Sequence, residues 1–245
     1  MLSCDLGSWA DALAPLRRAV EIGNWDWSLL RLWVARARMG ERDAASKDLR
    51  SQLKSARTGK RPLPGTMDDW IEQIARFLMG EAKEEQILRA ADLPGEKDPG
   101  GKTCEACFYV GVRRLLDGDR PGALEFFRKC VRADKRGFTE HQSSLFEIQE
   151  LLFGVRMMPL TEGARGGLSL KAGVGLSVVH VAKGGPAEKA GIREDDVLAS
   201  LGGKEATWQE LRRLLDQGKI GETLPVELLR QKQKQAVELT LGVWK

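Results

Sequence analysis

The feature that most constrains the fold of this chain is a change of hydrophobic period near residue 152. Before it, apolar residues recur at the spacing that buries one face of an α-helix. After it, apolar and polar residues alternate, which is typical of half-buried strands. A single change of period in 245 residues predicts an α+β chain of two domains. We expect residues 1–150 to be helical and residues 151–245 to form a small domain rich in strands.

The helical part contains amphipathic segments separated by turns and by loops that carry the Pro and Gly residues that end helices. Short turns between helices predict antiparallel hairpins. The predicted helices cover residues 8–22, 26–39, 42–56, 67–79, 83–91, 103–117, 119–133 and 138–152.

Three turns of this part share one spacing: a glycine, a small residue five positions on, and a large apolar residue four further. The triplets are Gly7-Ala12-Leu16, Gly40-Ala45-Leu49 and Gly118-Ala123-Phe127. The small residue lets two helices approach closely, and the large one fills the space beside it. Gly7 and Gly40 are 33 positions apart, which is about the length of one tetratricopeptide unit.

These residues resemble a tetratricopeptide (TPR) repeat array, in which Gly111 takes the usual small position of the preceding helix. The stretch from "CEACFYVGVRRLLDGD" to "SSLFEIQEL" also resembles bacterial TPR lipoproteins that act as adaptors for envelope proteases. The resemblance implies a concave face that holds a partner peptide or the chain's own next element. Its residues would be Trp27, Leu30, Val34, Phe108 and Val112.

The first repeat begins at its second helix, so we expect that the upstream sequence is absent or unusual; an absent piece is where an export signal would lie. The alternative is a chain that simply begins with a cap helix, for which "WADALAPL" is not polar enough.

The C-terminal part shows predicted strands at 154–158, 175–181, 195–201, 223–230 and 235–243, and one helix at 207–218 capped by Thr207. In "GGPAEKAGIREDDVLASLGG" (184–203), Pro186 starts a short helix and Gly191 ends it before the next strand. This run resembles the PDZ signature of bacterial HtrA-type proteases, in its circularly permuted form. Gly202-Gly203 stands where that signature has an Asn-Gly hairpin.

The PDZ resemblance implies a ligand loop before the first strand, and Phe153-Gly154-Val155 fits its apolar-Gly-apolar form. Backbone N–H groups there would receive a peptide's terminal carboxylate, and the following strand would pair with the ligand. Helix 207–217 would form the other wall. The alternative for the apolar members is that they only fill the core. The implied peptide-binding residues are Leu152, Phe153, Gly154, Val155, Arg156, Leu211 and Leu215.

The cysteines leave several states open. Cys104 and Cys107 form a C-x-x-C, but the other Cys and His residues are too distant in sequence to predict a metal site. The repeat alignment places Cys107 and Cys130 on facing helices of one hairpin. A buried thiol, a disulfide in an exported protein, and metal or redox catalysis remain as alternatives.

No set of residues indicates catalysis or a cofactor. "SQLK" (51–54) has the Ser-x-x-Lys spacing of some hydrolases but lies on a helix that the repeat pattern explains. The net charge is +4, and basic and acidic residues are interspersed along the chain, a pattern that does not favour nucleic-acid binding. No apolar stretch is long enough to cross a membrane.

The sequence therefore predicts a non-catalytic adaptor or scaffold with no cofactor or metal. Its partners would be protein C-terminal peptides and a second protein on the helical array, with an envelope protease as a candidate. The resemblances imply a role in protease regulation or protein quality control in the bacterial envelope or periplasm; without an export signal, the chain would be cytoplasmic. One alternative is the regulatory portion of a processing protease whose catalytic domain is absent. Another is a PDZ domain that docks only within its own molecule.

Overall fold

The computed structural model describes residues 9–22, 26–57, 69–92 and 100–244. The first part is helical: α1 Trp9–Glu21, α2 Asp26–Arg38, α3 Arg42–Arg57, α4 Asp69–Leu78, α5 Glu84–Ala91, α6 Gly101–Leu116, α7 Arg120–Arg132 and α8 Thr139–Phe153. The second part is mixed: β1 Val155–Pro159, α9 Glu162–Gly166, β2 Leu176–Val181, α10 Pro186–Lys189, β3 Val197–Leu201, β4 Lys204–Glu205, α11 Trp208–Gln217, β5 Thr223–Arg230 and β6 Gln233–Thr240.

This architecture confirms the predicted α+β fold, with a helical part followed by an antiparallel sheet. Within the described ranges, every strand lies beyond residue 154. The sequence prediction missed the two-residue strand β4 and the short helix α9. None of the described helices is long and apolar enough to cross a membrane.

The hairpin of α6 and α7 shows why the turn spacing matters. A Cβ added at Gly111 would lie 2.7 Å from Cε1 of Phe127, closer than atoms in a folded protein approach. Asp119 caps α7 by accepting a hydrogen bond from Gly122 N–H at 3.0 Å. Ala123 and Phe127 are fully buried. The other two triplets likewise bury their small and large members, although Gly7 lies outside the described residues.

Paired polar groups are also buried in the helical part. Trp70 Nε1 donates to Glu105 Oε2 at 2.6 Å, and Arg31 Nη2 donates to Glu140 Oε1 at 3.2 Å. Tyr109 is fully buried, and this burial raises its pKa well above the ordinary value, so its hydroxyl stays neutral.

The sheet has the strand order β1-β2-β3-β5-β6, with β4 paired to β3, and its named pairs are antiparallel. Strand β1 is therefore an edge strand of the sheet that the described residues form. Helix α11 begins with the predicted Thr207 cap, whose hydroxyl accepts from Glu210 N–H at 3.1 Å.

An ion pair between a buried carboxylate and the partly exposed Arg230 holds the turn between α10 and β3. Asp196 is 1% exposed and accepts from Arg230 Nε at 2.8 Å and Nη2 at 2.7 Å. It also accepts from Arg193 N–H at 2.8 Å. The hydrogen bond to Asp196 raises the pKa of Arg230. The pair ties β5 to the start of β3.

Contacts within the chain divide it into two compact units, Met1–His141 and Gln142–Lys245. This division falls inside α8, whereas the sequence places the domain boundary after residue 150. The segment α8 thus contributes residues to both units.

Candidate peptide-binding site

The junction between α8 and β1 is the segment in which the sequence predicts the ligand loop. Leu152 and Phe153 belong to the last turn of α8 in the structure, and both are fully buried. In a helix each N–H points to the carbonyl four residues earlier. Helix α8 therefore continues to Phe153, one residue beyond the predicted end at 152, and only Gly154 separates it from the strand.

Gly154 makes this abrupt connection possible. Its φ of +68° is a conformation that side chains other than glycine rarely adopt. A Cβ at this position would also lie 2.7 Å from Pro186 Cδ and 3.0 Å from Gly185 Cα. Any larger residue would push the start of α10 away, so Gly154 is needed for the fold as well as for any ligand site.

Two backbone donors of the expected site are engaged by the chain itself. Gly154 N–H donates to Glu150 O at 3.0 Å and so closes the end of α8. Met157 N–H donates to the side-chain Oε1 of Gln149 at 2.7 Å. Gln149 and Met157 are both fully buried. The Gln149 amide thus occupies the place where the carbonyl of an added strand would bond.

Arg156 is buried and paired instead of open to a ligand. Its side chain is 2% exposed, and its Nε and Nη2 donate to Glu150 Oε2 at 3.1 and 2.7 Å. Glu150 lies in the last turn of α8 and Arg156 lies in β1, so the ion pair holds the end of the helix against the start of the strand. We infer that Arg156, paired with Glu150, positions the end of α8 next to β1.

The C-terminal tail also contacts the end of α8. Gly242 N–H donates to Leu152 O at 3.0 Å, and Trp244 Nε1 donates to Glu150 O at 2.9 Å. The last carbonyls of a helix have no partner within it, and Gly242 N–H supplies one for Leu152 O. Trp244 adds a second hydrogen bond to Glu150 O, which already accepts from Gly154 N–H. The tail is therefore part of the structure that closes the junction.

The predicted pocket residues of α11 are both buried. Leu211 and Leu215 have exposures of 0% and 1%. They lie four positions apart on one face of the helix. In this structure they contact protein, as core residues do, and a ligand side chain would reach them only by displacing what covers them.

The predicted concave-face residues of the helical unit also lie mostly in the interior. Leu30, Val34, Phe108 and Val112 are at most 2% exposed. Phe108 packs against Phe127, with ring centroids 6.0 Å apart. Trp27 is half-buried and stacks on Tyr109 at 6.4 Å. Of the five, only Trp27 presents part of its surface.

Cys107 and Cys130 lie on the neighbouring helices α6 and α7, as the repeat alignment predicts. Cys104 Sγ, and not Cys107 Sγ, lies 3.0 Å from Cys130 Sγ across the α6–α7 hairpin. Burial raises the pKa of the Cys107 thiol to about 11. Among the described residues, no group of three or more His, Cys, Asp or Glu side chains could hold a metal ion. Cys4 lies outside those residues.

Sequence reasoning missed Gln149, Glu150 and Trp244. Gln149 and Glu150 look like ordinary polar residues of an amphipathic helix, and Trp244 follows the last strand. One feature of the sequence could have indicated them: no Pro, Ser or spacer separates α8 from β1. So short a connection keeps the end of the helix beside the strand.

Residues 152–241 match the family model described as "PDZ domain". The chain is 33% identical over 117 residues to "Serine protease Do-like HtrA" of Bacillus subtilis (strain 168), a match that covers 44% of this chain and 26% of that protein. It is 33% identical over 90 residues to "Probable periplasmic serine endoprotease DegP-like" of Rhizobium meliloti (strain 1021), with coverages of 36% and 18%. The chain thus spans about a quarter or less of the length of these relatives.

Two similar solved structures are "HtrA-type protease AlgW with decapeptide" and the HtrA3 PDZ domain bound to a phage-derived ligand. The first is 24% identical with a TM-score of 0.32 and covers 38% of this chain and 29% of that one. The second is 20% identical with a TM-score of 0.32 and covers 38% and 85%. Scores this low support no conclusion about function. Residues 152–241 are thus similar to a PDZ domain, and the two curated relatives named here are HtrA-like or DegP-like serine proteases. The TPR assignment of the helical part rests on residue spacing alone.

Proposed function

We propose that this chain is a non-catalytic interaction protein whose PDZ domain binds the C-terminal peptides of other proteins. The observation that carries the proposal is the PDZ match over residues 152–241, with β1 as the terminal strand of the described sheet. Strand addition to such an edge supplies main-chain hydrogen bonds, and the end of the ligand lies at the turn before the strand. That turn is Gly154.

Binding in this site is an exchange of partners. The carbonyl of the ligand's third-from-last residue replaces Gln149 Oε1 at Met157 N–H. Nε2 of the same Gln149 amide is buried, and no described residue accepts a hydrogen bond from it. Release of this side chain therefore also hydrates a buried donor, which offsets part of the cost of breaking the Gln149–Met157 bond.

The terminal carboxylate binds where the last turn of α8 now closes on Gly154. Gly154 N–H must leave Glu150 O, so the last turn of the helix opens as the ligand enters. The N–H groups of Gly154 and Val155 then form the anion nest. Residues Leu152 and Phe153 unwind with that turn, and Leu211 and Leu215 contact the ligand's apolar last side chain.

The experiment compares free-acid octapeptides with the same peptides amidated at the C-terminus. The set varies the last residue over all amino acids, and binding to the full chain is followed by fluorescence anisotropy. A charge-assisted hydrogen bond is worth about 1.5–3 kcal/mol, so we expect amidation to weaken binding about tenfold or more. Equal binding of acid and amide forms would show that no carboxylate nest exists.

A second candidate function is favoured by the same two hydrogen bonds. With Met157 N–H and Gly154 N–H held by α8, the PDZ domain could serve only as a structural module that anchors this helix. In that case no free-acid peptide binds the wild-type chain, and none binds after Gln149 is removed. Saturable binding in either protein contradicts the structural module.

The proposal also assigns a role to the helical unit and to the chain in the cell. We infer that the helical unit is a TPR-like array that recruits a second protein through the exposed part of Trp27, in protease regulation or protein quality control in the bacterial envelope. The alternative is a regulatory portion of a processing protease, since the curated relatives are serine proteases of which this chain spans about a quarter or less. The full coding sequence separates these: a protease domain encoded upstream of residue 1 supports the alternative.

A further inference from the structure

Two cysteines of the helical unit face each other across the α6–α7 hairpin. Cys104 lies in the first turn of α6, and Cys130 lies in the last turn of α7. Sγ of Cys104 is 3.0 Å from Sγ of Cys130, and both residues are fully buried. The chain joins α6 to α7 at their other ends, through residues 117–119. The cysteine pair therefore lies at the open end of the hairpin, opposite its turn.

The packing of the hairpin holds the two helices close together. A Cβ added at Gly111 would lie 2.7 Å from Cε1 of Phe127, so α6 and α7 approach to a distance that suits glycine alone. A disulfide needs its two sulfur atoms about 2.0 Å apart, which is about 1 Å less than the 3.0 Å between Cys104 and Cys130. Side-chain rotation covers a movement of this size, so the helices can keep their places when the bond forms.

The cysteines that are nearest in sequence, Cys104 and Cys107, suit a disulfide less well. Residues three apart on an α-helix have their Cβ atoms about 5–6 Å apart, whereas a disulfide needs Cβ atoms about 3.5–4.5 Å apart. A bond between these two would therefore distort the start of α6. Burial also raises the pKa of the Cys107 thiol to about 11, which disfavours the reactive thiolate. Geometry and chemistry both favour the partner across the hairpin.

We propose that Cys104 and Cys130 form a disulfide that closes the open end of the α6–α7 hairpin when the chain folds in the presence of a disulfide oxidant. The proposal rests on the geometry of the helical unit and is independent of peptide binding. The two residues are 26 positions apart, so the bond encloses most of both helices in one covalent loop. Cys107 remains a thiol.

The reaction consists of two thiol–disulfide exchanges with a small disulfide such as oxidised glutathione. The thiolate of one cysteine attacks the oxidant, forms a mixed disulfide and releases one glutathione thiolate. The thiolate of the other cysteine then attacks the protein sulfur of the mixed disulfide and releases the second glutathione. The two protons from the cysteines end on the two glutathione thiols. The protein loses two electrons, and the oxidant gains them as its own disulfide is reduced.

Burial decides when this exchange takes place. Cys104 and Cys130 are both 0% exposed, so a dissolved oxidant does not reach their sulfur atoms in the folded hairpin. The first exchange therefore occurs during folding, while the hairpin is still open, and packing of α7 against α6 then brings the second cysteine to the mixed disulfide. The same burial shields the finished disulfide from reductants until the hairpin opens.

The experiment refolds the reduced full chain with oxidised glutathione, alkylates the remaining thiols in denaturant and maps the disulfide by mass spectrometry. Trypsin together with a protease that cleaves after glutamate separates the two cysteines of α6, because Glu105 lies between them. We expect "TCE" linked to "CVR", with "ACFYVGVR" alkylated at Cys107. Any link that contains "ACFYVGVR", or natively folded protein with every cysteine alkylated, overturns the proposal.

Thermal unfolding of the oxidised and the fully reduced chain, followed by circular dichroism, gives a second readout. A crosslink over 26 positions restricts the unfolded chain, and we expect it to raise the Tm of the helical unit by about 5–10 °C. Cys107→Ala is the matched control and should keep both the link and the shift in Tm. Cys104→Ala and Cys130→Ala should lose both, and either variant that folds is sufficient for the test. A shift that persists in them contradicts the assignment of the bond to this pair.

Discussion

Replacing Gln149 by alanine is expected to move stability and peptide affinity in opposite directions. The substitution leaves Met157 N–H without the 2.7 Å bond that it donates to Gln149 Oε1, at a fully buried position. A buried donor without a partner costs about 1–3 kcal/mol, so the free energy of unfolding should fall by about that amount. Urea unfolding followed by circular dichroism measures this loss.

Peptide affinity should rise in the same variant. The ligand carbonyl no longer displaces an internal competitor, and recovery of one net hydrogen bond of about 0.5–1.5 kcal/mol corresponds to about threefold to tenfold tighter binding. The assay is the anisotropy titration with the tightest free-acid octapeptide of the set.

Gln73→Ala, at an exposed position of α4, is the control and should change neither quantity. An affinity that is unchanged or weaker in Gln149→Ala would refute the idea that this side chain occupies the ligand's place. Lower stability with no peptide binding in either protein would instead favour the structural module.

Three further outcomes are expected. Asp196→Ala should lower the free energy of unfolding by about 1–3 kcal/mol, since it removes the buried carboxylate that accepts from Arg230 and from Arg193 N–H, while the partly exposed Arg230 keeps Gly191 O as an acceptor; a urea midpoint equal to wild type would contradict this. Gly111→Ala should cost about 1–3 kcal/mol in the same assay, because the added methyl group would lie 2.7 Å from the Phe127 ring, and an unchanged stability would show that α6 and α7 separate without cost. The purified chain should not degrade casein; turnover that persists through repurification and disappears in Ser51→Ala would assign activity to this residue, which lies at an exposed position on α3.

The helices and most strands of this protein could be predicted from the sequence because their signals are local. Hydrophobic period distinguishes helix from strand, and caps such as Thr207 mark where a helix begins. Strand β5 occupies the predicted residues 223–230, and the eight predicted helices end within two residues of those in the structure. The missed β4 and α9 are too short to show a period.

The tertiary structure alone decided which groups meet. Cys104 and Cys107 are about one helical turn apart and share a face of α6, so the sequence cannot say which one faces Cys130. The axial offset between α6 and α7 decides this, and it depends on the packing of Phe127 against Gly111.

The same holds at the candidate site. The sequence indicated a strand beginning at Gly154 and a helix ending just before it. It could not show that the last turn of α8 continues to Phe153, which brings Gln149 to Met157 N–H and Glu150 to Arg156. Those contacts depend on the direction in which the chain leaves Gly154, and that direction is set by its positive φ and by its close approach to Gly185 and Pro186, residues more than 30 positions further along the chain.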